Sequence, residues 1–246
     1  LNRRNILFAL FCALAFVMAY FSIKALYYAP RSQREYYSHI VLIPIVSFYF
    51  LYLDRKQIFT EITYSLLAGL PPLAIGACLF YLGRFSGIQL NQNDVTSVIA
   101  LAAVVFVNGA FILCYGLRPY KAALFPMLFL VFTIPIPYAL MEGIIHALQV
   151  GSTEFTNLLL MATGVPFVRD GFVFHLPEIS VEVAKQCSGI RSGLALMITA
   201  IVAGHLFLRS GWKKVILALA AIPISMFKNG IRIVTQKVEA TTDAQG

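Results

Sequence analysis

The sequence predicts an all-α polytopic membrane protein, and three observations carry that expectation. Hydrophobic residues make up 59% of the 246-residue chain and charged residues 12%, where soluble domains carry about a quarter charged. The apolar residues fall in blocks of roughly the 17 to 25 residues needed to cross a bilayer as a helix. The lysines and arginines flank these blocks and form no basic run, so the formal charge of +8 reads as membrane orientation and contact with lipid headgroups. This pattern argues against a nucleic-acid partner. About seven transmembrane helices are expected, with an amphipathic helix and a small extracytoplasmic β-hairpin, in a single domain over residues 1–246.

The first span, NILFALFCALAFVMAYFSIKALYY, follows Arg3 and Arg4. It is too long for a signal peptide and has no small-residue cleavage site before the next span, so it is expected to remain as a helix. A basic loop at 28–35 leads to EYYSHIVLIPIVSFYFLYLDRK, a span expected to kink at Pro44. The third span runs over 62–83 around Pro71 and Pro72, and the fourth over 95–115. After a tight basic turn at 116–121, a fifth span closes on IPIPYAL, whose prolines should end or bend it. Residues 143–163 are more polar, with His146, Gln149, Thr153, Glu154 and Asn157 mostly on one face, which predicts an amphipathic helix at the interface or lining a cavity.

FVRDGFVFHLPEISVEVAK then alternates, with Phe172, Phe174 and Leu176 on one side and Val173 and His175 on the other. Asp170 and Gly171 supply turn chemistry, and Pro177 and Glu178 interrupt the pattern. Two spans follow, at 188–208 and 215–234, joined by the basic turn RSGWKK. Arg3, Arg4, Arg55, Lys56, Arg118, Lys121, Arg209, Lys213 and Lys214 would share one face, which the positive-inside rule makes cytoplasmic. The hairpin and the start of the 188–208 span then face outward.

The chemistry gathers at AKQCSGIRSG. Cys187 is followed by Ser188 and Gly189, where the small backbone permits close approach, and Arg191 lies about one helical turn on. A buried cysteine is commonly just a small hydrophobe, and Cys12, Cys78 and Cys114, inside apolar spans, are read that way. No metal-type spacing occurs, and neither a metal nor a cofactor is expected. Arg232, in SMFKNGIRIV, lies deep in an apolar segment, where an arginine costs a few kcal/mol by insertion scales and calls for a partner or a task. Lys228 and Asn229 share that argument less strongly. Because the last two spans run antiparallel, the start of one and the end of the other should approach.

AKQCSGIRS, FKNGIRI, YSHIVLIP and FPMLFLVFTIPIP together resemble the exosortases over about residues 35–235, with archaeosortases as more distant relatives. The resemblance implies a cysteine protease or transpeptidase of the bacterial inner membrane, with its active site facing the periplasm. Its partners would be exported proteins with a C-terminal sorting tail, marked by a Pro-Glu-Pro signature, a transmembrane helix and a basic cluster. It also implies a link to exopolysaccharide production, Cys187 as nucleophile, and Arg232 as the residue that activates the thiol or holds the oxyanion.

The family's third catalytic position, a histidine or in archaeal relatives an arginine, lies further downstream, and no histidine or arginine follows Arg232 here. The polar tail at 236–246 therefore reads as a truncated or altered end. His39, ahead of His175, is the candidate for acid/base work suited to a near-neutral pKa; Ser188, Arg191 and Asn229 are possible supporting residues. The competing readings are a degenerate homologue that binds tails without cutting them, and a transporter with proline-broken helices.

Overall fold

The computed structural model describes residues 3–28, 39–87, 89–177, 179–185 and 189–243. Long helices dominate: α1 (Arg3–Tyr28), α2 (Leu42–Leu53), the short α3 (Arg55–Ile58), α4 (Leu66–Phe85), α5 (Gln92–Tyr115), the short α6 (Leu117–Ala122) and α7 (Leu124–Phe129), α8 (Tyr138–Thr163), α9 (Ile190–Phe207) and α10 (Gly211–Asp243). Five of them, α1, α4, α5, α9 and α10, are long and apolar enough to cross a membrane, with a sixth if Leu124–Thr133 and Tyr138–Thr163 count as one broken span. Among the described residues that is fewer than the seven expected. The second expected span contains only the 12 residues of α2, short of the roughly 20 a spanning helix needs. The fifth, after a turn that forms α6, is the short α7 and a 3-10 turn at Leu130–Thr133, and the chain bends by 90° into α8.

The chain separates into two compact units, Leu1–Tyr138 and Ala139–Gly246. In the first, α5 is the central span, with 72% of its most apolar stretch buried against 17% for α1 and α4. Small residues bring α4 onto it. Gly69 lies against the Leu113 backbone, Gly76 against Ala102 and Phe106, and Gly109 against Leu73, too close at each place for a side chain. Such backbone approach supplies packing where lipid offers no hydrophobic driving force. Outward-facing Leu10, Phe16, Ile45, Phe48 and Leu67 present the apolar surface that lipid covers.

Asn91 caps α5, its side chain accepting from the Asp94 N–H at 2.8 Å, and Asp94 in turn accepts from the Tyr138 N–H at 2.7 Å. At the opposite end of α5, Arg4 donates to the Ile62 carbonyl at 3.0 Å and lies 4.2 Å from the Tyr64 ring centre, and Arg118 pairs with Glu61. Two of the basic clusters expected to share a face, Arg3–Arg4 and Arg118–Lys121, therefore do meet at one end of this unit. Cys114 is buried and Cys12 half-buried, but Cys78 is exposed on the surface of the bundle and does not pack within it.

In the second unit α9 and α10 form an antiparallel pair, in which Gly204 opposes Lys214, Gly193 opposes Ser225 and Gly189 opposes Asn229. Between α8 and α9 the expected hairpin is a three-stranded antiparallel sheet, β1 (Val168–Asp170), β2 (Val173–His175) and β3 (Ser180–Glu182), in the order β1-β2-β3. Asp170 pairs with Val173 across a two-residue turn, where Gly171 takes φ +57°. Pro177 interrupts the strand pattern, but the chain turns back and pairs again: the Leu176 N–H donates to the Ile179 carbonyl at 2.9 Å. Phe174, Leu176 and Val183 are buried with Leu160 of α8 and Ile233 of α10, which seats the sheet against the far part of α10. That helix continues to Asp243, through much of the stretch expected to be a polar tail.

Candidate active site

The expected nucleophile Cys187 and its neighbour Ser188 lie outside the described residues. The described residues on either side of them are held by α8 before the segment and meet Asn229 of α10 after it. The buried face of α8 comprises Met141, Ile145, Leu148, Gln149, Ser152, Thr153, Thr156 and Leu160. His146 and Glu154, which the helical pattern placed on the polar face with Gln149 and Thr153, are instead exposed. Glu154 binds Arg169 of β1 at 2.8 Å, and the His146 ring stands edge-on to Phe172 at 6.0 Å. The reason is the partner helix: Gly151 lies against the Met226 sulfur, and Gly230 admits Phe155 and Thr156 so closely that a Cβ there would stand 3.2 Å from the Phe155 Cβ. Backbone approach of α10 selects which residues of α8 are covered.

Within that buried face Thr153 and Thr156 donate to the Gln149 and Ser152 carbonyls of their own helix, both at 2.8 Å. Their hydroxyls are satisfied locally. Gln149 and Ser152 reach other elements. The Gln149 side chain, 4% exposed, donates to the Val183 carbonyl at 2.6 Å. Ser152 accepts at 3.1 Å from the side-chain amide of Asn229 on α10.

Asn229, also 4% exposed, lies against Gly189, whose missing Cβ would stand 3.4 Å from the Asn229 amide carbon. Gly189 is the N-cap of α9, with φ +73°, a left-handed conformation natural to glycine. Its carbonyl accepts from the Gly193 N–H at 2.8 Å and the Ser192 hydroxyl at 3.0 Å. Lys185 is held by Glu142 of α8 at 2.8 Å. The chain entering residues 186–188 is thus tied to α8, and the chain leaving them packs on Asn229 of α10.

Arg232 is exposed one turn beyond Asn229, on the part of α10 that extends past the start of α9. Among the described residues its guanidinium has no hydrogen-bond or ion-pair partner; its carbonyl accepts from the Thr235 hydroxyl at 3.1 Å. The next residue, Ile233, is buried in the sheet's apolar cluster, so this stretch of α10 is fixed while the arginine stays open. Arg191 is exposed in the first turn of α9. His175 is exposed on β2 and shares a 2.8 Å hydrogen bond with Ser180. His39 belongs to the first unit, half-buried, its carbonyl starting α2 by accepting from the Leu42 N–H at 3.0 Å. Burial lowers its pKa below 6.5, which favours the neutral ring.

The structure therefore brings Gly189, Asn229 and Arg232 to one end of the α9–α10 pair. Two further residues bond the elements that hold this end: Gln149, which the helical pattern placed on a polar face with no role, and Ser152. The signal was present as polar side chains three residues apart on an apolar helix. Their targets, Val183 and Asn229, are distant in sequence and carry no local mark.

Apolar spanning helices, with a short sheet packed against the far part of α10, define an integral membrane protein. Over residues 31–238 the chain matches the transmembrane exosortase family, and it belongs to that family. No curated protein and no solved structure matches it.

Proposed function

We propose that this chain is a membrane-embedded cysteine transpeptidase that cuts the C-terminal sorting tail from exported proteins at the periplasmic face of the bacterial inner membrane. The observation that carries the reading is the register of α9 against α10, which extends Arg232 past Gly189, at the end of α9 from which the cysteine segment departs. Two peptide units separate Gly189 from Cys187, a reach of about 7 Å. A guanidinium stays protonated at any working pH, so beside a thiol it favours the thiolate, and its donors suit an oxyanion.

The sulfur attacks the scissile carbonyl carbon, a C–S bond forms, and the negative charge moves to the carbonyl oxygen, where Arg232 receives it. Collapse breaks the C–N bond, and the leaving amine takes a proton. An incoming amine or water then attacks the thioester and returns the thiolate. His39 is the leading candidate for the proton transfers, since a neutral ring accepts the thiol proton; His175, engaged with Ser180, is the second. Asn229 supports the site through Gly189, and Arg191 adds positive charge in the first turn of α9. Substrates with a Pro-Glu-Pro tail and a link to exopolysaccharide production complete the reading.

Trapping tests the covalent step. Membranes holding the full chain and a tail-bearing substrate, treated with hydroxylamine, should release the substrate as a hydroxamate, and the Cys187→Ala form should release none. Release that persists without Cys187 sinks the mechanism; binding of the tail without any release would make the chain a tail binder.

A further inference from the structure

The first unit contains a cavity of about 350 Å³ between α1, α4 and α5, at the end of these helices opposite the Arg4 and Arg118 cluster. Its size falls in the roughly 300 to 1,000 Å³ range of small-molecule sites. The wall is divided. Phe21, Leu82, Val95 and Ile99 form an apolar half, and Arg84, Ser86, Gln92 and Thr96 bring polar groups. Gly83 seats α4 on α5 in this wall, where a Cβ would stand 3.1 Å from the Val98 Cγ1. The Ser22 hydroxyl ties α1 to α5 by donating to the Thr96 carbonyl at 3.1 Å.

Two of the polar side chains are satisfied within their own helices: Thr96 donates to the Gln92 carbonyl at 2.7 Å, and Ser86 to the Leu82 carbonyl. Arg84 is different. Its guanidinium carbon stands 5.4 Å from the Phe21 ring centre and 5.6 Å from that of Phe85. Such ring contacts hold the head in place and leave its N–H donors open. Among the described residues no carboxylate pairs with it. Asp94, near the start of α5, does not line the cavity, and its oxygens accept from the Asn91 amide and the Tyr138 N–H. Lys24, one turn past Phe21 on α1, is a second exposed cation at this end without an ion pair among the described residues. Unpaired positive charge beside an apolar slot, where the 20-residue α4 ends, matches a phospholipid: a phosphate for the guanidinium and an acyl chain for the apolar half.

We propose that this cavity binds one anionic phospholipid, with Arg84 and Gln92 donating to the headgroup phosphate and Phe21, Val95 and Ile99 packing on an acyl chain. The site lies wholly in the first unit and does not rest on the transpeptidase reading.

The test is native mass spectrometry of the full chain in detergent, titrated with phosphatidylglycerol or phosphatidylcholine. The parent should bind its first phosphatidylglycerol about 10-fold more tightly than phosphatidylcholine, and Arg84→Gln should weaken that binding about 10-fold, the loss of one charge-assisted contact. Arg84→Lys should weaken it less, since the charge stays and the planar fork is lost. Val95→Trp, which fills the apolar half, should weaken it too. Lys56→Gln, which removes an exposed cation of α3 outside the cavity, should change nothing.

Equal first affinities of the parent and Arg84→Gln for phosphatidylglycerol overturn the site. Displacement of the lipid by an equal concentration of inorganic phosphate also overturns it, since the cavity would then hold a small anion. Equal affinity for the two lipids does so as well, because Arg84 would then make only unselective contact with the bilayer. Arg84 is exposed, so its variants should accumulate with the parent's thermal midpoint; should Val95→Trp fail to accumulate, they decide alone.

Discussion

Asn229 of α10 lies against Gly189 at the start of α9, its amide carbon 3.4 Å from where a glycine side chain would begin, and this contact joins the chain leaving the cysteine segment to the helix that carries Arg232. A Cβ at 3.4 Å is in ordinary van der Waals contact, so the space tolerates a methyl group. The backbone does not: φ of +73° costs a non-glycine residue about 1 to 2 kcal/mol. Gly189→Ala should therefore lower the thermal midpoint of the detergent-solubilised protein and reduce substrate processing. Gly189→Asn should do so less, since asparagine tolerates this conformation. Equal stability of Gly189→Ala and the parent would show that the left-handed cap is unimportant.

Arg232 has no partner for its guanidinium among the described residues and sits one turn beyond that contact. If it holds the developing oxyanion, Arg232→Ala should lower kcat by about 100-fold or more. Arg232→Lys keeps the charge but not the planar fork, and an intermediate loss is expected. Both are read from single-turnover processing. Full activity of the lysine form would leave charge alone as the requirement.

His39 supplies the pH prediction. Burial lowers its folded pKa below 6.5, so the ring is neutral at pH 7 and stays neutral somewhat below 6.5. As a base it loses function on protonation, so kcat/KM should fall on the acid side at a pH below 6.5, and His39→Ala should remove that limb along with most of the activity. The linked stability has the same sign: the unfolded chain binds the proton more readily, so the contribution present above pH 6.5 is lost as pH falls through the lowered value. An acid limb that persists in His39→Ala would assign it to another group.

The first unit offers a stability prediction independent of function. A Cβ on Gly109 would come within 2.6 Å of the Leu73 backbone nitrogen, and helix backbone cannot step aside as a side chain can. Gly109→Ala should force α4 and α5 apart at a cost of about 1 to 3 kcal/mol, seen as a lower thermal midpoint in detergent. An unchanged midpoint would contradict the close packing of these spans.

Where the sequence signal was local, it carried through to the structure. The continuous apolar run of α5 and the alternation of Phe172, Phe174 and Leu176 were readable because span length and strand period are properties of short windows. Prolines carried part of the signal: those of IPIPYAL were expected to end or bend the fifth span, which breaks by 90° between Thr133 and Tyr138, whereas the span expected to kink at Pro44 holds only the 12 residues of α2. Pro177, taken as an interruption, sits in the connection that returns the chain to form β3.

Least visible was the covered face of α8. Helical geometry grouped His146 and Glu154 with Gln149, and only the approach of α10 at Gly151 and Gly230 decides that Gln149 and Ser152 are buried while the other two are exposed. At the site itself, Asn229 and Arg232 stood out because polar groups in an apolar helix are costly. The roles of Ser152 and Val183 depend on partners far along the chain.

The most direct test of the central claim is the size shift of a co-expressed protein carrying a Pro-Glu-Pro tail, compared between cells with this chain and cells with its Cys187→Ala form. The account predicts a shortened product with the parent and none with the variant. A product of the same size and amount from both would contradict it.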